Sequence, residues 1–264
     1  MNRRKQRKRR AVFSVLSVAS GSSELVASSL ARIRLVRVRI LTTILGWLAV
    51  LLILRVLVAI LANYPDYFPP NFDSLFLQGR EATFTGAYRP AFYIHIFSGP
   101  VVLFNGLILM SEYVRRHHRS LHRFLGRVQV VVLLLLVLPS SVVMARHAFG
   151  GWPAGLSFLL LTAATASCAI IGVVHARRGR YDRHRPWMLR SYVLICSAVV
   201  LRLISGTAGL VAVPSAEAAY VVAAWSSWLL PLAAYEIVER FAKRRPARMS
   251  PWALADPQMP ALPQ

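Results

Sequence analysis

FYIHIFSGPVVLFNGLILMSEYVRRHHRSLHRFLGR, residues 92–127, is the stretch that decides the fold. It begins as an apolar segment with one histidine, His95, passes through a basic turn, and continues into a second segment that opens with His-Arg. The stretch RGRYDRHRPWMLRSY at 178–192 repeats the basic turn and the His-Arg opening. Two apolar segments joined by a short basic turn are typical of a transmembrane helical hairpin.

The composition of the whole chain is that of a membrane protein. Of its 264 residues, 56% are hydrophobic and 16% are charged, whereas soluble domains carry roughly 25% charged residues. Several stretches run about 20 residues with at most one charge, which at ~1.5 Å per residue is enough to cross ~30 Å of hydrocarbon. The sequence therefore predicts an all-α, multi-pass membrane helix bundle.

The apolar segments predict six transmembrane helices, at about 40–62, 90–113, 122–147, 154–177, 186–208 and 217–241. The repeated basic hairpin relates spans two and three to spans four and five, which predicts a four-helix core of spans two to five with spans one and six outside it. Residues 1–39 are predicted to form a disordered basic cytoplasmic tail, and residues 242–264 a Pro-rich cytoplasmic tail.

The positive charge is concentrated on alternate connections. The net charge is +22, and 27 of the 32 Lys and Arg residues lie in the segments 1–40, 115–127, 177–190 and 240–248. In a soluble protein such a charge would indicate nucleic acid, but this spacing is the positive-inside pattern of membrane proteins. We therefore predict a bacterial inner-membrane protein with both termini in the cytoplasm, its basic segments facing anionic headgroups, and no nucleic-acid partner.

Three ionisable residues lie inside spans at a similar predicted depth. Arg55, His95 and Arg202 are about five to seven residues from the outer ends of spans one, two and five, or ~8–11 Å at ~1.5 Å per residue. A buried charge costs about 2.5–3.5 kcal/mol in a membrane and so needs a partner, yet no acid within a span lies at this level. The three residues, with Asn105 on the same face of span two as His95, predict a site for an anion or a hydrogen-bond acceptor. Alternatively, the arginines reach outward to the interface and have no ligand.

Histidines also raise the question of haem b, which membrane cytochromes hold between two histidines of neighbouring helices. The candidate haem ligands are His95 in the outer half and His122, His175 and His184 at the inner ends of their spans. The inner three stand at span ends, which is less typical of haem ligands. Zinc-binding motifs and nucleotide-binding glycine loops are absent from the sequence, so no other metal site is predicted.

Several of these motifs together resemble those of the DUF2306 family of predicted bacterial membrane proteins, whose function is undefined. The resemblance covers about residues 90–205, and the elements that carry it are His95, LHRFLGR at 121–127, GGW at 150–152, HRPWMLRSY at 184–192, and Arg202 within VVLRL. It implies a multi-helix membrane domain and brings no established substrate.

Three hypotheses about function follow. The first is a redox-associated membrane protein with a quinone or haem b site in the outward half of the bundle, where His95 ligates or hydrogen-bonds the cofactor. The second is a carrier or sensor for a small anion or lipid that uses Arg55, His95 and Arg202 for charge recognition. The third is a non-enzymatic structural or assembly protein whose polar residues hold the bundle together.

Overall fold

A computed structural model describes residues 36–74, 76–208 and 215–244. Within these ranges the chain is almost entirely helical and forms no β-strand. Most of the predicted basic tail, the connection after the fifth span and most of the Pro-rich tail lie outside the described residues. The helices are α1 (36–62), α2 (Tyr88–Met110), α3 (Glu112–His117), α4 (Arg119–Val132), α5 (Leu138–Ala145), α6 (Gly151–Arg177), α7 (Tyr181–Ile195), α8 (Ser197–Ala208) and α9 (Ala216–Arg244).

The predicted fold class is confirmed: six helices are long and apolar enough to cross a membrane. These spans are Val36–Asp66, Tyr88–Met110, Arg119–Ala145, Gly151–Arg177, Tyr181–Gly206 and Ala216–Phe241. Span two is the most buried, with 39% of its apolar window inside the protein, and span one is the least buried, with 11%. Span six is buried to the same share as span three, 22%, because α9 packs along α6, α7 and α8.

The chain divides into two compact units, Met1–Arg55 and Val56–Gln264. The described part of the first unit is the helical segment 36–55, most of whose side chains are exposed. The second unit contains the remaining spans. Its most extensive contacts join α6 to α7, and α2 to α4, α5 and the π-helical turn Leu133–Val137 that connects α4 with α5.

Small residues allow the helices of the second unit to approach closely, as expected where apolar lipid provides no hydrophobic drive for association. Ala154 and Ala169 on α6 are completely buried. Gly155 lies against the carbonyl of Ala145 at the end of α5, and Gly172 lies against the side chain of Met188 on α7. In both places a side chain on α6 would collide with its neighbour.

The connection between spans one and two folds over one end of the bundle. Leu77 and Phe92 are fully buried in an aromatic cluster with Tyr67, Phe84 and Tyr88. Arg80 fastens this connection, because its guanidinium donates to the Tyr88 hydroxyl (3.0 Å) and to the His147 carbonyl (2.9 Å). We call this the loop end of the bundle. The opposite end, with the α3–α4 and α6–α7 turns and the last turn of α9, is called the basic end.

Candidate functional site

His95 is the eighth residue of α2, and it faces span three at its irregular point. The π-helical turn Leu133–Val137 ends immediately before α5, which has a proline in its first turn, Pro139. Proline has no N–H to donate to the preceding turn, so the backbone changes its hydrogen-bonding register there. Such π-turns occur frequently at functional sites.

Two serine hydroxyls of α5 hold the His95 ring. The Nδ1 atom lies 3.3 Å from the Oγ of Ser140 and 3.3 Å from the Oγ of Ser141. Each hydroxyl donates its own proton to a backbone carbonyl, Ser140 to Leu136 at 2.7 Å and Ser141 to Val137 at 2.6 Å. Because a hydroxyl has a single proton, the serine oxygens act as acceptors toward His95, and Nδ1 is the nitrogen that donates.

The Nε2 atom of His95 is therefore the nitrogen with a lone pair in the neutral ring. The hydroxyl contacts of the ring are both at Nδ1, and the Val137 carbonyl of the π-helical turn also hydrogen-bonds the ring. A histidine whose Nδ1–H is fixed by oxygen acceptors presents Nε2 in a defined direction, as histidines do when they accept a proton or bind a ligand. The His95 side chain as a whole is half-buried.

Arg202 on α8 is the charged neighbour of His95. Its guanidinium donates to the Ala198 carbonyl of its own helix at 3.1 Å, and it forms no ion pair within the described ranges. Its charge acts on His95, Tyr67 and Tyr220. Burial raises the pKa of the Tyr67 phenol in the connecting loop, and the nearby Arg202 guanidinium opposes that rise. The side chain of Arg202 is exposed.

Aromatic side chains surround this end of α2. Tyr64 donates its hydroxyl to the carbonyl of Ile96, next to His95. The Tyr64 ring packs edge-on against Phe97 at 5.5 Å between centroids, and Phe68 stacks on Tyr93 at 5.0 Å. Tyr93 and Phe97 each lie two residues from His95 and so project from the other face of α2; the aromatic residues that interact with Arg202 are Tyr67 and Tyr220.

Asn105 belongs to a separate polar cluster. Its amide nitrogen donates to the Leu125 carbonyl and to the Gln129 side chain, both at 3.0 Å, and Gln129 donates to the Val102 carbonyl at 3.0 Å. The Tyr192 hydroxyl of α7 donates to the Leu103 carbonyl at 3.1 Å. These bonds tie α2 to α4 and α7. Asn105 lies ten residues from His95, or about 15 Å along the helix, so the two do not share a site.

The other residues that the sequence predicted for a site lie elsewhere. Arg55 ends the first unit with an exposed side chain. His122, His175 and His184 lie on α4, α6 and α7 at the basic end. Arg190 of α7 pairs with Glu236 of α9 through both Nε–Oε1 (2.5 Å) and Nη2–Oε2 (3.0 Å) contacts.

Sequence reasoning missed the partners of His95. Ser140 and Ser141 follow Pro139 in the apolar run LLLLVLPSSVV, and a pair of hydroxyls next to a proline inside a span is a signal for a distorted helix. The proximity of Tyr67 and Tyr220 to Arg202 was also missed. Tyr67 lies in the loop connection and Tyr220 near the start of span six, and their positions in the sequence give no sign that they meet Arg202.

Comparison with known proteins gave one match. Residues 92–238, more than half of the chain, match the family model described as "Predicted membrane protein (DUF2306)". Neither the curated proteins nor the solved structures contain a match.

Proposed function

The chain belongs to the DUF2306 family of predicted membrane proteins, and on that premise we propose that it is a redox-associated protein that binds a membrane quinone or quinol. The site is at the loop end of the bundle, beside His95 and Arg202. The observation that carries the proposal is the fixed His95 ring, whose Nδ1 is engaged by Ser140 and Ser141 while Nε2 has no hydroxyl contact.

The orientation of the His95 ring suits a quinol. A hydroxyl of the bound quinol donates a hydrogen bond to the Nε2 lone pair, and the imidazole can hold that proton. On protonation, the imidazolium keeps its Nδ1–H on the serine oxygens, so the ring does not have to turn. Arg202 supplies a hydrogen-bond donor for the second oxygen of the ring or for a semi-reduced, anionic form.

The surroundings favour a flat apolar ligand over a small hydrophilic ion. Tyr67 and Tyr220 lie close enough to Arg202 to interact with its charge, and such rings stack on other aromatic systems. A route from the lipid is consistent with the half-buried His95 and the exposed Arg202 side chain.

Haem b is less well supported at this end. Two axial histidines are needed, and the second histidine here, His147, packs edge-on against Tyr88 with ring centroids 5.2 Å apart. The backbone carbonyl of His147 also accepts from Arg80 of the loop connection at 2.9 Å. The quinone version of the redox hypothesis is therefore the one that we put forward.

Binding of a short-chain ubiquinone or menaquinone analogue to the purified protein in nanodiscs tests the proposal. Tryptophan quenching or calorimetry should show saturable binding to the wild type and at least tenfold weaker binding to His95→Gln. The matched control is His147→Gln, which changes an exposed histidine at the same end and should bind normally. Equal binding by His95→Gln and the wild type would refute the proposal.

A second candidate function rests on Arg202, which has no acidic partner in the described part of the chain. An uncompensated guanidinium in a span also fits recognition of a small anion or an anionic lipid headgroup. Comparing the two variants distinguishes the two functions. Arg202→Gln should abolish binding of an anionic lipid while His95→Gln leaves it intact, whereas quinone binding should depend on His95.

We further propose that the basic end faces the cytoplasm of the inner membrane, with both termini on that side and the basic turns against anionic headgroups. The proposal is supported by the concentration of Lys and Arg on every second connection between spans, because cytoplasmic connections carry the excess of basic residues. A reporter that works only in the cytoplasm should be active when it is fused after residue 264. A reporter that works only outside the cytoplasm should be inactive at the same position. Alkylation of a cysteine introduced at Gly79, in the loop connection, should occur from the outside.

A further inference from the structure

Helix α2 contains a carbonyl that its own backbone cannot satisfy in the usual way. Pro100 lies inside the helix, and a proline has no N–H to donate to the carbonyl four residues earlier, which here belongs to Ile96. The proline ring also crowds that carbonyl and bends the helix. In a membrane the freed carbonyl needs a donor from a neighbouring element, because the hydrocarbon holds no water to replace the missing bond.

Tyr64 of the loop connection supplies that donor. It begins the 3-10 turn Tyr64–Asp66 that follows α1, and its hydroxyl donates to the Ile96 carbonyl. The Tyr64 ring packs edge-on against Phe97, with ring centroids 5.5 Å apart, which holds it beside the same turn of α2. A residue that stands 32 positions earlier in the chain therefore makes the bond that Pro100 removes.

The proline divides α2 into two parts with different anchors. The first part carries His95, whose ring contacts Ser140 and Ser141 of α5. The second part is tied to α7, because the Leu103 carbonyl accepts from the Tyr192 hydroxyl at 3.1 Å. The position of the His95 ring relative to the second part therefore depends on the bend between them.

Packing at the bend leaves the backbone room to move. Gly99 directly precedes Pro100, and a Cβ added to Gly99 would meet no neighbouring atom of the described structure within 4 Å. Glycine also gives the backbone more conformational freedom than any other residue. The bond from Tyr64 to Ile96 acts one residue after His95 and four residues before Pro100, so it lies between the bend and the ring that the bend would move.

We propose that Tyr64 is a positioning residue for His95. By replacing the hydrogen bond that Pro100 removes, the Tyr64 hydroxyl fixes the bend of α2 and keeps the Nδ1 of His95 against the two serine hydroxyls. The loop connection is thereby coupled to the interior of the bundle. The consequence for quinone binding rests on the function proposed above, whereas the coupling itself is measured on the protein without ligand.

A double-variant cycle tests the replacement of the hydrogen bond. Tyr64→Phe removes the hydroxyl and keeps the ring, so it should unfold at a lower SDS fraction than the wild type in mixed micelles. Pro100→Ala restores an N–H that can bond the Ile96 carbonyl within the helix. In the Pro100→Ala background, Tyr64→Phe should therefore shift the SDS fraction by less than half of its shift in the wild-type background.

NMR of the histidine ring nitrogens, recorded in nanodiscs at alkaline pH without ligand, tests the positioning. The signals of His95 are those that disappear in His95→Gln. In the wild type they should be those of a single neutral tautomer with the proton on Nδ1. In Tyr64→Phe they should shift and include the tautomer with the proton on Nε2, because the contact with the serine hydroxyls is loosened.

Tyr93→Phe is the matched control. Tyr93 belongs to the same group of aromatic residues, and its hydroxyl also donates to a backbone carbonyl, that of Tyr67, at 3.1 Å. That carbonyl is not the one that Pro100 frees. Tyr93→Phe should therefore shift the SDS fraction equally in the wild-type and Pro100→Ala backgrounds, and it should leave the His95 signals unchanged.

Two results would overturn the proposal. The first is a Tyr64→Phe shift of equal size in the wild-type and Pro100→Ala backgrounds. The second is a destabilised Tyr64→Phe protein with the His95 signals of the wild type, because Tyr64 would then support the fold without positioning the ring. A wild-type protein that binds no quinone would refute the function proposed above and would leave both of these measurements unaffected.

Discussion

The contact between α5 and α6 leads to a quantitative prediction for Gly155→Ala. A Cβ at Gly155 would lie 2.5 Å from the carbonyl oxygen of Ala145. Ordinary contacts begin at 3.4 Å, so the two helices would have to separate by about 0.9 Å. The obstructing atom belongs to the backbone and cannot rotate away as a side chain would.

The energy follows from two opposing effects. Replacing glycine by alanine inside a helix stabilises it by about 0.5–1 kcal/mol. Overpacking of a close contact costs about 1–3 kcal/mol. Gly126→Ala on α4 is the matched control, because nothing lies within 4 Å of the added Cβ. Subtracting the control removes the helix-propensity effect, so Gly155→Ala should be less stable than Gly126→Ala by about 1–3 kcal/mol.

Unfolding in mixed detergent and SDS micelles, followed by circular dichroism, measures this difference. Gly126→Ala should be as stable as the wild type or slightly more stable, and Gly155→Ala should unfold at a lower SDS fraction. If the two variants unfold together, the close approach of α5 and α6 does not limit stability and the reasoning is refuted.

Three further changes test other contacts. Glu236→Leu leaves the half-buried Arg190 guanidinium unpaired and should lower the unfolding free energy by roughly 1–3 kcal/mol, while the Arg190→Leu/Glu236→Leu double variant should recover most of it; a double variant as unstable as the single one would contradict this. Asn105→Leu removes two hydrogen bonds and the partner of Gln129, so it should lower stability by roughly 1–3 kcal/mol in the same assay; unchanged stability would exclude a structural network. Arg80→Gln releases the loop connection from the helix ends, so limited proteolysis should cut within 64–84 faster than in the wild type, and equal rates would show that Arg80 does not fasten it.

The six spans could be predicted because a bilayer imposes the same requirement on each of them. Each span needs about 20 apolar residues, whatever it packs against. The basic turns were equally visible, since LHRFLGR and HRPWMLRSY repeat a local pattern. Packing of α9 along α6–α8 was not visible, because it depends on Trp228 and the small residues beside it fitting a particular neighbour, as in the bond from Trp228 to Ser157 at 3.0 Å.

Only part of the site could be read from the sequence. A histidine inside an apolar span attracts attention by its cost alone, so His95 was found, and so was Arg202. The tautomer of His95 depends on Ser140 and Ser141, and their direction depends on the π-turn before Pro139. A change of helical register comes from the balance of backbone hydrogen bonds over several residues, and no single residue type encodes it.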